Sequence, residues 1–168
     1  MNPVRGRWPG ADHPRGWAAW DGGHVETVPA PVEAVWHALS DNDARDQWFS
    51  AGSALDARAK SHEFRVGGHG TEEGQWHGGP ESRFLSTYTD IVDLQRIVFT
   101  YDMWVDGRHL STSLTTIALE RDGGQTRLTY TEQGVHFEAW TASRAGKRAA
   151  GDCSTSWAPI SPPASEAP

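Results

Sequence analysis

Cysteine is nearly absent: Cys153 is the only one among 168 residues. No intrachain disulfide can form, and the chain reads as cytoplasmic by default. Long hydrophobic runs are absent too. None approaches the roughly 20 apolar residues that cross a bilayer, and the N-terminus carries no apolar signal-peptide core. Clustered basic charge is missing. A net charge of -7 argues against nucleic acid as a partner, because phosphate contacts need grouped Lys and Arg. No basic amphipathic helix points to a membrane surface. Several chemical signatures are also lacking. His62, His69 and His77 come without HExxH or CxxC, so they read as strand-end histidines and no metal is expected. Gly67-Gly68-His69-Gly70 lacks the Lys-Ser/Thr of a phosphate loop and reads as a bend. No Gly-x-Ser-x-Gly occurs, and Cys153 has no visible activating partner. No cofactor is expected.

What the chain does have is a patterned middle. The stretch QRIVFTYDMWVDGRHLSTSLTTIALERDGGQTRLTYTEQG, Gln95 to Gly134, reads as three consecutive antiparallel strands. Arg96 to Val105 is rich in β-branched and aromatic residues. Asp106-Gly107 supplies a tight hairpin turn, since both residues tolerate positive φ. A second strand follows over about His109 to Glu120, then a turn at Asp122-Gly123-Gly124, then a third strand from Thr126 to Gln133. Period two places Ile97, Phe99, Tyr101 and Met103 on one face. Ser113, Thr115, Ile117 and Leu119 share it, as do Leu128, Tyr130 and Glu132. That face is apolar at one end and carries hydroxyls and a carboxylate at the other, the gradient of a ligand cavity.

Upstream, residues 1–23 read as an irregular tail rich in Gly, Pro, Arg and Trp. His24 to Pro29 alternates as a short strand. Pro31 stands in the first turn of a helix on which Val32, Val35, Trp36 and Leu39 recur at helical spacing. Ser40 and Asp41 stop that helix and cap a second short one holding Trp48 and Phe49. Ala51 to Ser61 reads as a loop, His62 to Val66 as a strand, Thr71 to Pro80 as a hairpin tip, and Glu81 to Val92 as a strand with Phe84, Ser86 and Tyr88 on one face. An early helix pair followed by strand runs is an α+β order. Asp102, Arg108 and His109 flank the hairpin turn as a solvated polar group, and Trp36 and Trp48 read as core.

These residues resemble a known family. APVEAVWHALSDNDARDQWF looks like the helix-opening signature of the SRPBCC (START-like, birch-pollen-allergen) superfamily. FRVGG with DIVDLQRIVFTYDM, and TRLTYTEQG, are similar to its heat-shock-ATPase-activator-homologue (AHSA-like) branch. The resemblance covers about Ala30 to Phe137. It implies a helix-grip fold, in which a curved antiparallel sheet wraps a long C-terminal helix with a cavity between them. It also implies one of three activities: lipid or hormone binding, polyketide cyclisation, or stimulation of a heat-shock ATPase.

The combined expectation is a helix-grip domain over residues 24–137 that binds a small apolar or amphipathic molecule in a hydrophobic cavity. Phe64, Ser86, Tyr88, Tyr101, Met103, Ser113, Thr115, Tyr130 and Glu132 are the wall candidates. Two other classes stay open. One is a cyclase- or aromatase-like enzyme with Glu132 as base and Tyr101 or Tyr130 as donor, since a carboxylate in an apolar pocket can work as an acid or base. The other is a co-chaperone-like module, which needs an exposed face in place of a deep cavity.

Residues 138–168 break the pattern. They are Ala, Ser, Arg, Gly and Pro with stray Trp and Cys, where the resemblance requires a long helix. That is the composition of a GC-rich gene read in a shifted frame. Read from the third base of the Glu138 codon, permitted codons for Glu138 to Pro163 yield a peptide containing LLDQLGAYLA, with its leucines and tyrosine at helical spacing. One leucine, from the junction of Asp152 and Cys153, is required by the genetic code whichever codons are used. Each Leu such a helix buried would add about 1.5–3 kcal/mol. The chain without it is therefore expected to be unstable, aggregation-prone or dependent on a partner. The gene's nucleotide sequence is the check: an alternate frame that meets an early stop codon, or encodes no amphipathic helix, removes the idea.

Overall fold

The computed structural model describes residues 17–49 and 55–137. The expectations placed on the segment after Glu138, on Cys153 and on the closing helix lie outside the described residues. The elements run β1 (Trp17–Val28), α1 (Val32–Ser40), α2 (Asn42–Asp46), β2 (Leu55–His62), β3 (His69–Trp76), β4 (Glu81–Val92), β5 (Arg96–Val105), β6 (Arg108–Asp122) and β7 (Gln125–Phe137). They build one curved, open antiparallel sheet in the order β1-β7-β6-β5-β4-β3-β2. β2 to β7 form a meander. The two helices carry the chain from β1 at one edge to β2 at the other. This is the expected α+β helix-grip architecture.

The central hairpins follow from local chemistry. Asp106 and Gly107 take φ of 49° and 72°, a primed turn whose twist suits the flanking strands. β6 alternates buried and exposed residues from Ser111 to Leu119, which is what period two dictates when one face is covered. Bulges between Tyr88 and Asp90 and between Met103 and Trp104 bend the sheet.

Several expectations need correction. The first strand begins at Trp17, within the stretch read as tail, and pairs with β7 from Trp17↔Phe137 to Val28↔Thr126. Ala18-Ala19 and Gly22-Gly23 hide its period, and its partner, β7, lies far along the chain beyond β6. Leu55 to His62 is a strand, not a loop. It is an edge strand with mostly exposed residues, so it has little apolar alternation to reveal it. Phe64 consequently lies on the β2–β3 connection and not in a strand over His62 to Val66, most of the segment read as a hairpin tip is strand β3, and α2 ends at Asp46, before Trp48 and Phe49. Pro31 is the N-cap of α1, in extended conformation (φ -64°, ψ 153°), and not a first-turn residue. Asp41 does cap α2: its Oδ1 accepts from the Ala44 N–H at 2.9 Å.

α1 packs over one end of the concave face. Val32, Val35 and Leu39 join Val28, Ile97, Ile117, Leu119 and Leu128 in the core. Thr126, fully buried, donates its hydroxyl to the Ala30 carbonyl at 2.8 Å and ties β7 to the start of α1. Leu128 is only 2% exposed at the centre of this cluster. Leu128→Ala is expected to cost about 2–5 kcal/mol in urea unfolding. Val25→Ala, on a side chain that is 52% exposed, should stay within about 0.5 kcal/mol.

Candidate functional site

Beyond the α1-covered end, the concave face turns polar. Across β4 to β7 the register aligns Ser86 with Tyr101, Tyr101 with Ser113, and Thr115 with Glu132. Directly opposed residues share a face, so five wall candidates fall together: Tyr101, Ser113, Thr115, Tyr130 and Glu132. Glu132 is 5% exposed. Its Oε1 accepts from the Tyr101 hydroxyl and its Oε2 from the Tyr130 hydroxyl at 2.5 Å. Tyr130 reaches it from two residues earlier on the same strand, the shortest spacing that keeps a side chain on one face.

Beside this carboxylate lie three buried polar atoms with no hydrogen-bond partner among the described residues: Trp20 Nε1, Ser113 Oγ and Thr115 Oγ1. Gly134 opposes both Trp20 and Ser113 across the ladders. A Cβ at Gly134 would sit 2.6 Å from Trp20 Nε1 and 2.7 Å from Ser113 Oγ. Only glycine lets the indole and the hydroxyl converge there. Composition alone did not reveal Trp20, because its strand was hidden.

A second polar group occupies the β2–β3–α2 side. His62 binds Asn42 Oδ1 through Nδ1 at 2.7 Å and the Tyr88 hydroxyl through Nε2 at 2.6 Å. A neutral ring satisfies both when Nδ1 carries the proton and Nε2 accepts from Tyr88. Burial pushes the His62 pKa down to about 4, and the nearby Arg45 and Lys60 cations push the same way against Asp46. Burial raises the Tyr88 pKa, partly opposed by Arg45. Arg45 is 7% exposed and lies over the Phe49 ring, 3.5 Å from its centroid. Neither Arg45 nor Glu72, also buried, carried any sequence signal, because a charge on a short helix or an edge strand ordinarily faces water.

Aromatic contacts join the two groups. Phe49 meets Phe84 at 5.5 Å, Phe84 meets Tyr101 at 5.1 Å, and Phe99 lies 6.2 Å from Tyr101 and 5.7 Å from Tyr88. Of the remaining wall candidates, Ser86 is buried between Tyr101 and Gly70. Met103 opposes Phe84. Phe64 packs on Tyr88 at 5.3 Å and on Trp36 at 5.6 Å. An open groove of about 630 Å³ lies elsewhere, lined by Trp36, His37, Ser40, Phe64, Val66 and Ile91 among others. Phe64 alone of the nine candidates reaches it.

The other singled-out residues are accounted for by ordinary pairing. His69 binds Thr87 at 3.1 Å and His77 binds Asp56 at 2.9 Å. Asp102 meets His109 at 3.1 Å and also accepts from Thr112, on the outer face near the hairpin end, while Arg108 is exposed. Among the described residues no group of three or more His, Cys, Asp or Glu could hold a metal. No described helix is long and apolar enough to cross a membrane.

The His62 pair makes stability depend on pH with a definite sign. A folded pKa near 4 against 6.5 for the free ring means that the unfolded chain binds the extra proton between those values. Stability from this group is therefore complete above about pH 6.5 and falls as pH drops toward 4. In urea midpoints measured across that window, His62→Gln should flatten the slope relative to the parent chain. Parallel slopes would show that His62 is not held neutral.

The family described as "Activator of Hsp90 ATPase homolog 1-like protein" matches residues 29–158, which runs on past Glu138. A crystal structure of a Rhizobium loti protein is 36% identical, with 82% of this chain and 92% of that chain covered and a TM-score of 0.70. A Rhizobium leguminosarum protein is 30% identical over 81% and 90% of the two chains, with a TM-score of 0.69. An AHSA1-like protein from Aeromonas hydrophila shares the fold at 22% identity over 80% and 85%, with a TM-score of 0.55. No curated protein matches the chain. With a family match over most of its length and a sheet of the same design, the chain belongs to the activator-of-Hsp90-ATPase-homolog-1-like family, the AHSA-like branch of the SRPBCC superfamily.

Proposed function

We propose that this chain binds a small apolar or amphipathic molecule on the concave face of its sheet, with the polar end of that molecule held at Glu132. The observation that carries the reading is the set of three buried polar atoms beside Glu132 that have no partner among the described residues: Trp20 Nε1, Ser113 Oγ and Thr115 Oγ1. A buried polar group left without a partner costs about 1–3 kcal/mol. Three in one place are a burden on the unliganded fold and an advantage only when something bonds to them. The indole N–H can only donate, whereas a hydroxyl donates or accepts. A ligand hydroxyl or carbonyl suits this mixture. The aromatic floor of Phe84, Phe99 and Tyr101 supplies apolar contact area.

An acid–base role for Glu132 fits less well. Both of its oxygens already accept from tyrosine hydroxyls, so a proton arriving from substrate would have to displace one of them. The arrangement suits orientation of a ligand. A co-chaperone-like role is the second reading. It is favoured by the family's description and by the open groove, where Val66 is 56% exposed beside Trp36 and Ile91.

Native mass spectrometry of the protein purified from its own source should reveal a co-purifying small molecule. Thr115→Val then separates binding from folding. The swap keeps the shape and removes an orphan hydroxyl, so the unliganded chain should gain about 1 kcal/mol in stability. The same variant should lose affinity for the co-purifying compound. A destabilised Thr115→Val would mean that Oγ1 already has its partner in the unliganded chain, and the reading would fail.

A further inference from the structure

Arg45 is a buried charge that the proposed site does not use. Its side chain is 7% exposed, yet among the described residues its guanidinium makes no hydrogen bond and no ion pair. Its contact is with the face of Phe49, at 3.5 Å. The carboxylates that act on it, Glu72 and Asp46, are drawn to Lys60 instead, at 3.8 and 2.6 Å. Burial accordingly outweighs its neighbours and lowers its pKa from the ordinary arginine value. An arginine carries five N–H donors in a planar fork matched to carboxylate, sulfonate and phosphate oxygens. In so largely buried a setting a charge-assisted bond to such an oxygen is stronger than it would be in water.

Position gives the charge a direction. α2 sets Arg45 over Phe49. Phe49 abuts Phe84, and Phe84 abuts Tyr101, whose hydroxyl donates to Glu132. A chain of aromatic contacts therefore runs from Arg45 to a hydrogen-bonded carboxylate flanked by polar atoms that have no partner among the described residues.

We propose that Arg45 is an anion-binding anchor, and that the ligand of the concave face is a flat aromatic or conjugated molecule with an acidic group at the Arg45 end and a neutral hydroxyl or carbonyl at the Glu132 end. This rests on the concave-face reading above and adds the ligand's charge and polarity. Glu132 excludes a second anion from the far end, so the molecule is a monoanion bound in one orientation.

Two dyes with the same ring system test this on the full-length chain: anilinonaphthalene sulfonate and its uncharged counterpart N-phenylnaphthylamine. The parent chain should bind both, the sulfonate more tightly. Arg45→Met should weaken the sulfonate by roughly tenfold or more, the worth of a charge-assisted hydrogen bond, and leave the neutral dye within about twofold. An unchanged near-ultraviolet circular dichroism spectrum certifies that the variant is folded. Should Arg45→Met fail to fold, the parent chain gives the answer by itself. The Arg45 Nε–Hε nuclear magnetic resonance signal should shift on adding the sulfonate and stay in place on adding the neutral dye. Equal sulfonate affinity in parent and variant, or an unmoved Arg45 signal, overturns the anchor and leaves the concave-face reading standing. Failure of the parent chain to bind either dye overturns both.

Discussion

Everything on the concave face depends on the register of β7. This strand is paired on both sides, with β1 and with β6. Its inward residues run Thr126, Leu128, Tyr130, Glu132 and Gly134, from the core beneath α1 to the polar end. A slip of one residue would send every one of them to the outer face. Two contacts fix the register at its ends. Thr126 donates to the Ala30 carbonyl at 2.8 Å, and Gly134 lies beneath the Trp20 indole where no Cβ could fit. The apolar centre at Leu128 then locks what the ends specify.

The same face is divided between stability and recognition. Under α1 the side chains are aliphatic and closely covered, so that end holds the fold. Away from α1 the sheet buries Glu132, Ser113, Thr115, Glu72 and Arg45, groups that a purely structural core would replace with leucine. Some are answered internally, as Glu132 is by Tyr101 and Tyr130. Others are not answered among the described residues. Buried polar groups without partners weaken a fold and mark where a partner belongs. The aromatic residues between them offer broad contact area without demanding one ligand shape.

His62 illustrates how packing sets chemistry. On an exposed strand end it would titrate near neutrality and report ambient pH. Between Asn42 and the Tyr88 hydroxyl, with Arg45 and Lys60 nearby, it is held neutral to about pH 4. Its role is thus to position Tyr88 and to join α2 to the sheet, a structural duty no motif announces.

The sequence by itself determined β4 to β7, their turns and their inward faces. It also determined the buried phase of α1 and the placing of Glu132 with Tyr101 and Tyr130. Those features are local, because period two, period 3.6 and Asp-Gly turns act within a few residues. Tertiary structure alone decided the rest. The first half of β1 and the body of β2 are edge segments whose backbone partners, not their side chains, make them strands, so Trp20 could not be placed in advance. Arg45 and Glu72 are buried near the place where α2 meets β2, through Asn42 on His62 and Asp46 on Lys60. A charge reads as surface until the element that covers it is known, and that cover comes from a distant part of the chain.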